Sequence, residues 1–316
     1  MSSRRRKPDW LKSRPPSGQR FADIKETLRD HDLHTVCEEA NCPNMGECWS
    51  GRDGPGTGAG TATFMLMGER CSRGCNFCDV ATGGMDALDP DEPKNVASAV
   101  GEIGLDYVVL TSVDRDDLED GGAAHFAETI RACKRENPGT LVEVLIPDFD
   151  GDEAAVQQII DAEPDVIAHN VETVERLQWP VRDRRANYEQ SLDVLEQVDR
   201  ESDIYTKTSL MLGLGEYDHE LYQALRDLQN VGIDVVTFGQ YLQPSRSHLD
   251  VFEYVHPDAF ETWRRVAEDE LDFLYCAAGP MVRSSYKAGE LFVDALVRDG
   301  KTVERAREQA RAAASD

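Results

Sequence analysis

From about Thr61 onward, short apolar runs alternate with amphipathic stretches. Runs rich in Val, Ile and Leu between Gly, Asp or Pro read as buried strands, whereas apolar residues three and four positions apart read as one face of a helix. The candidate strands are Thr61 to Met67, Tyr107 to Leu110, Leu141 to Ile146, Val166 to Ala168, Ile204 to Leu212 and Ile233 to Phe238. Helical periodicity covers Pro93 to Ile103, Ala123 to Glu136, Glu153 to Ala162, Tyr188 to Glu201 and His219 to Val231, with Pro257 to Leu271 after the last strand. This alternation predicts an α/β fold with a parallel sheet and crossover helices. Each strand ends in polar or Gly-rich residues such as Gly68 to Gly74, Thr111 to Asp117, His169 to Thr173 and Gly239 to Ser245. In a barrel these loops gather at the C-terminal face, where barrel enzymes build their active sites. Six units are too few for a full barrel. The expectation is therefore a partial (β/α)6 TIM-type barrel over 61–276, with an N-terminal extension (1–60) and a C-terminal extension (277–316) covering the open end. A doubly wound open sheet competes, because element order alone does not fix closure.

A chain of 316 residues with 40% hydrophobic content can bury a large core. It holds no run of eighteen apolar residues, and Met1 to Arg20 lacks the apolar stretch of a signal peptide. The expected location is cytoplasmic, with no membrane contact. Sixty acidic residues against 34 basic ones give a net charge of −26, which excludes wrapping nucleic acid with the body of the protein. The run Arg4 to Lys7 then reads as a solvated tail. Only eight of the basic residues are Lys and 26 are Arg, and this scarcity of Lys beside abundant Asp and Glu fits the surface of a salt-adapted protein.

Six of the eight cysteines lie between Cys37 and Cys78. In a cytoplasmic chain such clustering reads as metal binding rather than cross-linking. Cys71-Ser-Arg-Gly-Cys75-Asn-Phe-Cys78 follows the first strand directly, and three thiolates on one tight loop suit three corners of an iron–sulfur cubane, leaving the fourth iron open. Cys37, Cys42 and Cys48 form a second set of three, which implies a second cluster. Zinc is the alternative at either place, although zinc sites usually present cysteines in pairs.

The three-then-two spacing after a first barrel strand resembles the radical S-adenosylmethionine superfamily, in which the open iron binds S-adenosylmethionine and an electron releases a 5'-deoxyadenosyl radical. The run from Cys37 to Trp49, the loop Cys71 to Val80, Thr111 to Leu118, His169 to Thr173, Leu210 to Glu216, Gly239 to Arg246 and Arg283-Ser284-Ser285-Tyr286 together resemble the lipoyl synthase family. That resemblance implies insertion of two sulfur atoms, at C6 and C8 of an octanoyl chain carried on a lysine of a lipoyl domain. It implies two 4Fe-4S clusters. Cys71, Cys75 and Cys78 would hold the radical-generating one, and Cys37, Cys42, Cys48 and Ser285 the sulfur donor, with Ser284 as the alternative fourth ligand. Asn170 and Glu172 would face S-adenosylmethionine, although Asn170 also suits a helix cap. The implied partners are the E2 component of 2-oxoacid dehydrogenases or the glycine cleavage H protein as octanoylated carriers, a ferredoxin- or flavodoxin-type reductant, and a cluster-repair protein. Two other classes compete. A different sulfur-inserting or methylthio-transferring enzyme of the superfamily would not need the late Arg-Ser-Ser-Tyr, and a two-cluster electron carrier would saturate each cluster with four cysteines.

Weaker signals read as structure. His169 suits a packed, satisfied histidine, Asp114 to Asp117 an Arg-paired loop rather than a magnesium site, Cys133 and Cys276 core positions, and Gly213-Leu-Gly215 a strand-end turn. Gly51 to Gly60 lacks the Lys-Ser/Thr ending of a phosphate loop and reads as a connector. After Tyr286 the chain continues Lys287-Ala288-Gly289 where the family has His-Ala-Asp or His-Ala-Glu, a departure beside the serine ligand. The acidic surface repels itself when unscreened, so the melting temperature should rise from dilute buffer to molar KCl. Equal melting temperatures would refute the salt-adapted reading.

Overall fold

In the computed structural model, which describes residues 6–12, 19–39, 42–50 and 62–285, the apolar runs form strands buried on both faces, as a helix-covered parallel sheet requires. In chain order the strands are β1 His34–Thr35, β2 Ala62–Leu66, β3 Arg70–Cys71, β4 Ala81–Thr82, β5 Tyr107–Ser112, β6 Leu141–Leu145, β7 Val166–Ala168, β8 Tyr205–Leu212, β9 Val235–Gln240 and β10 Tyr275–Gly279. The helices are α1 Gln19–Asp30, α2 Val36–Glu39, α3 Met45–Ser50, α4 Glu92–Ile103, α5 Ala123–Glu136, α6 Glu153–Ile160, α7 Gln178–Val181, α8 Tyr188–Glu201, α9 Asp218–Asn230 and α10 Pro257–Arg265. Among the described residues the main sheet runs β1-β2-β5-β6-β7-β8-β9-β10, with β1 antiparallel to β2 and every later pair parallel. Strands β3 and β4 form a separate small ladder at the first thiol of the Cys71 loop. Sheet order follows chain order without reversal. A doubly wound sheet must reverse at a switch point, so the architecture is that of a partial barrel.

The six expected strands are present with their ends displaced by two residues or fewer. The six-unit layout is, however, exceeded by β10, which pairs with β9 from Tyr275↔Val235 to Gly279↔Gly239. Its Tyr-Cys-Ala-Ala-Gly sequence offers little apolar bulk beyond the buried Cys276, so the ladder to β9 is the main feature that holds it in place. The last expected helix also stops at Arg265, and Val266–Glu270 continues as a π-helical turn. Local chemistry explains the other boundaries. Asp152 Oδ1 accepts from Ala154 N at 2.9 Å to start α6, Asn187 Oδ1 accepts from Gln190 N at 2.9 Å to start α8, and Gly104 ends α4 at φ 69°.

The N-terminal segment joins the barrel core. Ile24, Leu28 and Trp49 share one cluster with Phe64 of β2 and Val96 of α4. Cys133 and Cys276 are buried core residues, as expected. The Gly51 to Gly60 connector, Arg4 and Arg5, and everything from Tyr286 onward, including Lys287 to Gly289 and most of the C-terminal extension, lie outside the described residues. Among the described residues no helix is long and apolar enough to cross a membrane.

One polar pair sits inside the barrel wall. Glu143 of β6 and Lys207 of β8, each 1% exposed, meet at 2.7 Å (Nζ to Oε1), and the Tyr107 hydroxyl donates to the same carboxylate. They share the strand face of Thr111, Leu145 and Ser209, which line the central cavity. Removing one partner of a buried pair strands the other charge. Lys207→Met should therefore lower stability by about 3–5 kcal/mol, and adding Glu143→Leu should recover most of that loss, as read by chemical denaturation at fixed salt.

Candidate active site

The Cys71–Cys78 loop leaves β2 at the C-terminal face of the sheet and is clamped from several sides. Ser72 N donates to Asp114 O (3.0 Å), Asn76 N to Val181 O (2.9 Å) and Cys78 N to Cys75 O (3.1 Å). His248 Nε2 pairs with Cys78 O at 2.9 Å. The strongest clamp is Arg73, 3% exposed, whose guanidinium meets Asp116 and Asp148 at 2.7 Å and Asp114 at 3.4 Å. Burial works against the Asp148 carboxylate, but Arg73 outweighs it and holds this group below the usual carboxylate range.

Backbone N–H groups converge on the sulfurs. Arg73 N and Asp114 N each lie 3.4 Å from Cys71 Sγ, and Asp183 N lies 3.2 Å from Cys75 Sγ. Burial pushes the Cys71 and Cys75 thiols up to about 12 and raises Cys78 as well. These groups are thiols until a metal displaces their protons. Among the described residues no three Cys, His, Asp or Glu side chains converge on the position of a single ion. Three soft donors supplied with N–H bonds to sulfur fit an iron–sulfur cluster.

The second group is assembled from both ends of the chain. Cys37, on α2, is buried and its thiol is pushed up to about 12, first by burial and then by Cys42. The indole N–H of Trp49 is directed toward this sulfur and is otherwise without a hydrogen-bond partner among the described residues. Cys42 N donates to Cys37 O (3.0 Å), and Cys48 N to Asn44 O (2.9 Å). Asn44 Nδ2 reaches across to Met281 O at 2.6 Å, tying this group to the segment that carries Ser285. Thr63 of β2 completes the link. Its backbone N–H faces Cys37, and its hydroxyl donates to Ser285 Oγ at 3.0 Å.

A cavity of about 650 Å³ joins the two groups. Cys71, Cys75 and Cys78 line it directly. The other group is represented by Val36, Pro43, Ser284 and Ser285, whereas Cys37, Cys42 and Cys48 do not themselves line it. Met65, Leu145, Met211 and Leu242 supply apolar wall. Two polar atoms of lining residues, Ser112 Oγ and Asn170 Oδ1, are buried without a hydrogen-bond partner among the described residues. Buried polar atoms are normally satisfied, so these two are exceptions in the wall of the cavity. Asn170 caps no helix, since the next turn starts at Glu175 with Val174 at its N-cap. Its Nδ2 donates to Glu172 Oε1 at 3.1 Å. Glu172 takes a left-handed backbone (φ 69°) in a half-buried position, and desolvation raises its carboxyl. Strain of this kind in a non-Gly residue persists only where the surroundings enforce it.

The remaining sequence-derived positions take structural places. Asp114 and Asp116 pair with Arg73, and Asp117 with Arg115, so the acidic loop is Arg-paired. Gly213 and Gly215 turn the end of β8 at φ 92° and 104°. Sequence reasoning did not single out Arg73, Asp148, His248 or the arginines after α7. For the last of these the signal was available, as a basic run in an acidic chain.

The chain matches the model of the Radical SAM superfamily over residues 65–228 and that of the N-terminal domain of lipoyl synthase over residues 1–42. It is 78% identical to the lipoyl synthase of Halorubrum lacusprofundi, with 100% of both chains covered. It is 76% identical to that of Halobacterium salinarum, over 99% of this chain and 100% of the relative. The mitochondrial lipoyl synthase of Neurospora crassa is 57% identical over 93% of this chain and 69% of its own. Two solved structures share the fold alone. They are methylornithine synthase (TM-score 0.52, 13% identity, 92% of this chain and 96% of that one) and SuiB of Streptococcus suis (TM-score 0.54, 9% identity, 82% and 52%). A partial barrel with three cysteines after its first parallel strand defines a radical S-adenosylmethionine enzyme, which uses that cofactor with an iron–sulfur cluster. Within that class the chain belongs to the lipoyl synthase family. It is thus a radical sulfurtransferase acting on octanoylated lipoyl domains.

His169 is buried and satisfied, with Nδ1 on Ile146 O and Nε2 on Ser191 Oγ, both at 2.9 Å. Burial, then the Arg182 charge, lowers it to about 4. On acidification the unfolded chain binds the proton first, near its ordinary value of about 6.5, so this stability is intact above about 6.5 and is withdrawn down to about 4. His169→Gln should flatten the melting-temperature profile across that interval, and an unchanged slope would refute the assignment.

Proposed function

We propose that Cys71, Cys75 and Cys78 hold the radical-generating 4Fe-4S cluster, and that Cys37, Cys42, Cys48 and Ser285 hold a second 4Fe-4S cluster that donates sulfur. When bound, these groups supply the 5'-deoxyadenosyl radical and the sulfide, respectively. The observation that carries the reading is the single cavity of about 650 Å³ with Cys71, Cys75 and Cys78 in one part of its wall and Ser285 in another.

Within that cavity the chain's own groups have distinct work. The N–H groups of Arg73, Asp114 and Asp183 stabilise negative charge on Cys71 and Cys75. Asn170 and Glu172, tied together by the Asn170 amide, face S-adenosylmethionine from the cavity wall. Met65, Leu145, Met211 and Leu242 accept an octanoyl chain and exclude water from the reacting carbons. Ser285 rather than Ser284 is the fourth ligand, because the Thr63 hydroxyl bonds Ser285 next to Cys37. A serine oxygen is a harder ligand to iron than a thiolate, so that corner opens most readily.

In this reading the radical-generating barrel expected over 61–276 runs on through β10 to Gly279, so the expected boundary at 276 falls inside that strand, and the expected covering segments 1–60 and 277–316 lie partly outside the described residues. The protein works in the cytoplasm on the E2 component of 2-oxoacid dehydrogenases or the glycine cleavage H protein, with a ferredoxin- or flavodoxin-type reductant and a cluster-repair protein. Anaerobic reconstitution, followed by reductant, S-adenosylmethionine and an octanoyl-lysine peptide, should add two sulfurs to the peptide by mass spectrometry. Cys37→Ala should abolish sulfur insertion yet still yield 5'-deoxyadenosine, and Cys75→Ala should abolish both. Retained cleavage in Cys75→Ala would overturn the division of labour.

A further inference from the structure

Strand β2 is apolar at Ala62, Phe64, Met65 and Leu66, and Thr63 is its exception. A buried hydroxyl costs free energy unless it is hydrogen-bonded, and Val would fill the same space on a strand without that cost. Thr63 is 5% exposed and lines the central cavity. Three other threonines of the sheet satisfy their hydroxyls on backbone carbonyls. Thr111 donates to Leu145 O at 2.9 Å, Thr206 to Gly232 O at 2.9 Å and Thr208 to His169 O at 2.8 Å. The Thr63 hydroxyl instead donates to a side chain 222 positions away, Ser285 Oγ, at 3.0 Å.

The same residue reaches the other side of the second thiol group. Its backbone N–H faces the Cys37 sulfur, so Thr63 touches both Cys37 and Ser285, which lie far apart in the chain. The segment that carries Ser285 is ordered before it arrives. Val282 N donates to Gly279 O at 3.0 Å, and Asn44 Nδ2 donates to Met281 O at 2.6 Å. Gly239 lies so close that a Cβ there would meet Val282 O at 2.2 Å. These contacts fix the backbone as far as Val282. Three residues later, Ser285 meets the hydroxyl of Thr63.

We propose that Thr63 is a positioning residue for sulfur transfer: its hydroxyl holds Ser285 Oγ as the fourth ligand of the sulfur-donor cluster and weakens the iron–oxygen bond, so that this corner opens when sulfur is withdrawn. The proposal rests on the reading of Cys37, Cys42, Cys48 and Ser285 as that cluster's ligands. The direction of the hydrogen bond fits it. A serine bound to iron has given up its proton and can only accept, and Thr63 is the donor. A hydrogen bond to a charged oxygen is roughly twice as strong as a neutral one. It draws off charge that the oxygen would otherwise give to iron, as hydrogen bonds to ligands do in iron–sulfur sites. When the corner opens, the iron–oxygen bond breaks and both its electrons stay on Ser285 Oγ, with no change of oxidation state. The Thr63 proton stays on Thr63 and bonds the freed oxygen.

The test compares the unaltered protein with Thr63→Val, Thr63→Ser and Ser285→Ala after anaerobic reconstitution with Mössbauer-active iron. Two quantities are read: the Mössbauer spectrum of the resting protein, and the sulfur inserted into an octanoyl-lysine peptide per 5'-deoxyadenosine formed. The signal that Ser285→Ala removes identifies the serine-bound iron. Thr63→Val keeps the side-chain shape without the donor. It should shift that signal and lower the ratio of sulfur to 5'-deoxyadenosine by about 10-fold, as loss of one hydrogen bond to a charged group predicts. Thr63→Ser keeps the donor and should restore both. An unchanged signal or an unchanged ratio in Thr63→Val overturns the proposal, and a proportionate loss of both products counts as an unchanged ratio, because that is what a residue needed only for folding gives. Failure of Thr63→Ser to rescue overturns it too. If Ser285→Ala itself leaves the spectrum and the ratio as they are in the unaltered protein, the reading of Ser285 as a cluster ligand is what fails.

Discussion

The active face depends on one buried cation. Arg73 belongs to the loop after β2, Asp114 and Asp116 to the loop after β5, and Asp148 to the loop after β6, so a single guanidinium fastens three neighbouring strand ends. A buried arginine stripped of its partners would carry a desolvation penalty of several kcal/mol, so the loops hold the charge as much as it holds them. The consequence for the site is geometric. With Arg73 fixed, its N–H and that of Asp114 are both directed at the Cys71 sulfur.

A second constraint operates at the other end of the cavity. Residues 19–50 and 281–285 are far apart in sequence, and β2 is what they share. Thr63 touches Cys37 through its backbone and Ser285 through its hydroxyl, while Asn44 bonds Met281. The strand that leads into the Cys71 loop therefore also locates the opposite thiol group. Any shift of β2 moves both sets of sulfur donors together, which preserves their separation across the cavity.

The strands were legible in the sequence because a parallel sheet buried on both faces needs uninterrupted apolar runs, and Tyr107 to Leu110 or Val166 to Ala168 have no other use. The cysteine groups stood out because their short local spacing marks them as candidate metal ligands, whereas their division of roles came from the family resemblance. What escaped was non-local. Strand β10 is held by its ladder to β9, and nothing in Ala277-Ala278-Gly279 announces it. The Glu143–Lys207 pair and the Arg73 network join residues 64 and 75 positions apart, beyond any periodicity argument. For Asn170 the choice between helix cap and site residue was not legible, since only the folded chain shows that the next turn has Val174 at its N-cap.

The unequal use of Arg and Lys links the acidic surface to the site. Guanidinium is weakly hydrated and forks to several acceptors, so it survives burial among carboxylates where an ammonium loses strong hydration. Arg73, Arg115 and Arg182 are all buried, and each bonds two or more residues, whereas Lys207 is the buried lysine and needs the whole Glu143 carboxylate at 2.7 and 2.8 Å. These contacts are buried, and buried pairs are screened much less than exposed charges. High salt therefore relieves repulsion among the exposed carboxylates without loosening the interior pairs. The same conditions that make an excess of surface acid tolerable leave the arginine-fastened loops around Cys71, Cys75 and Cys78 in place.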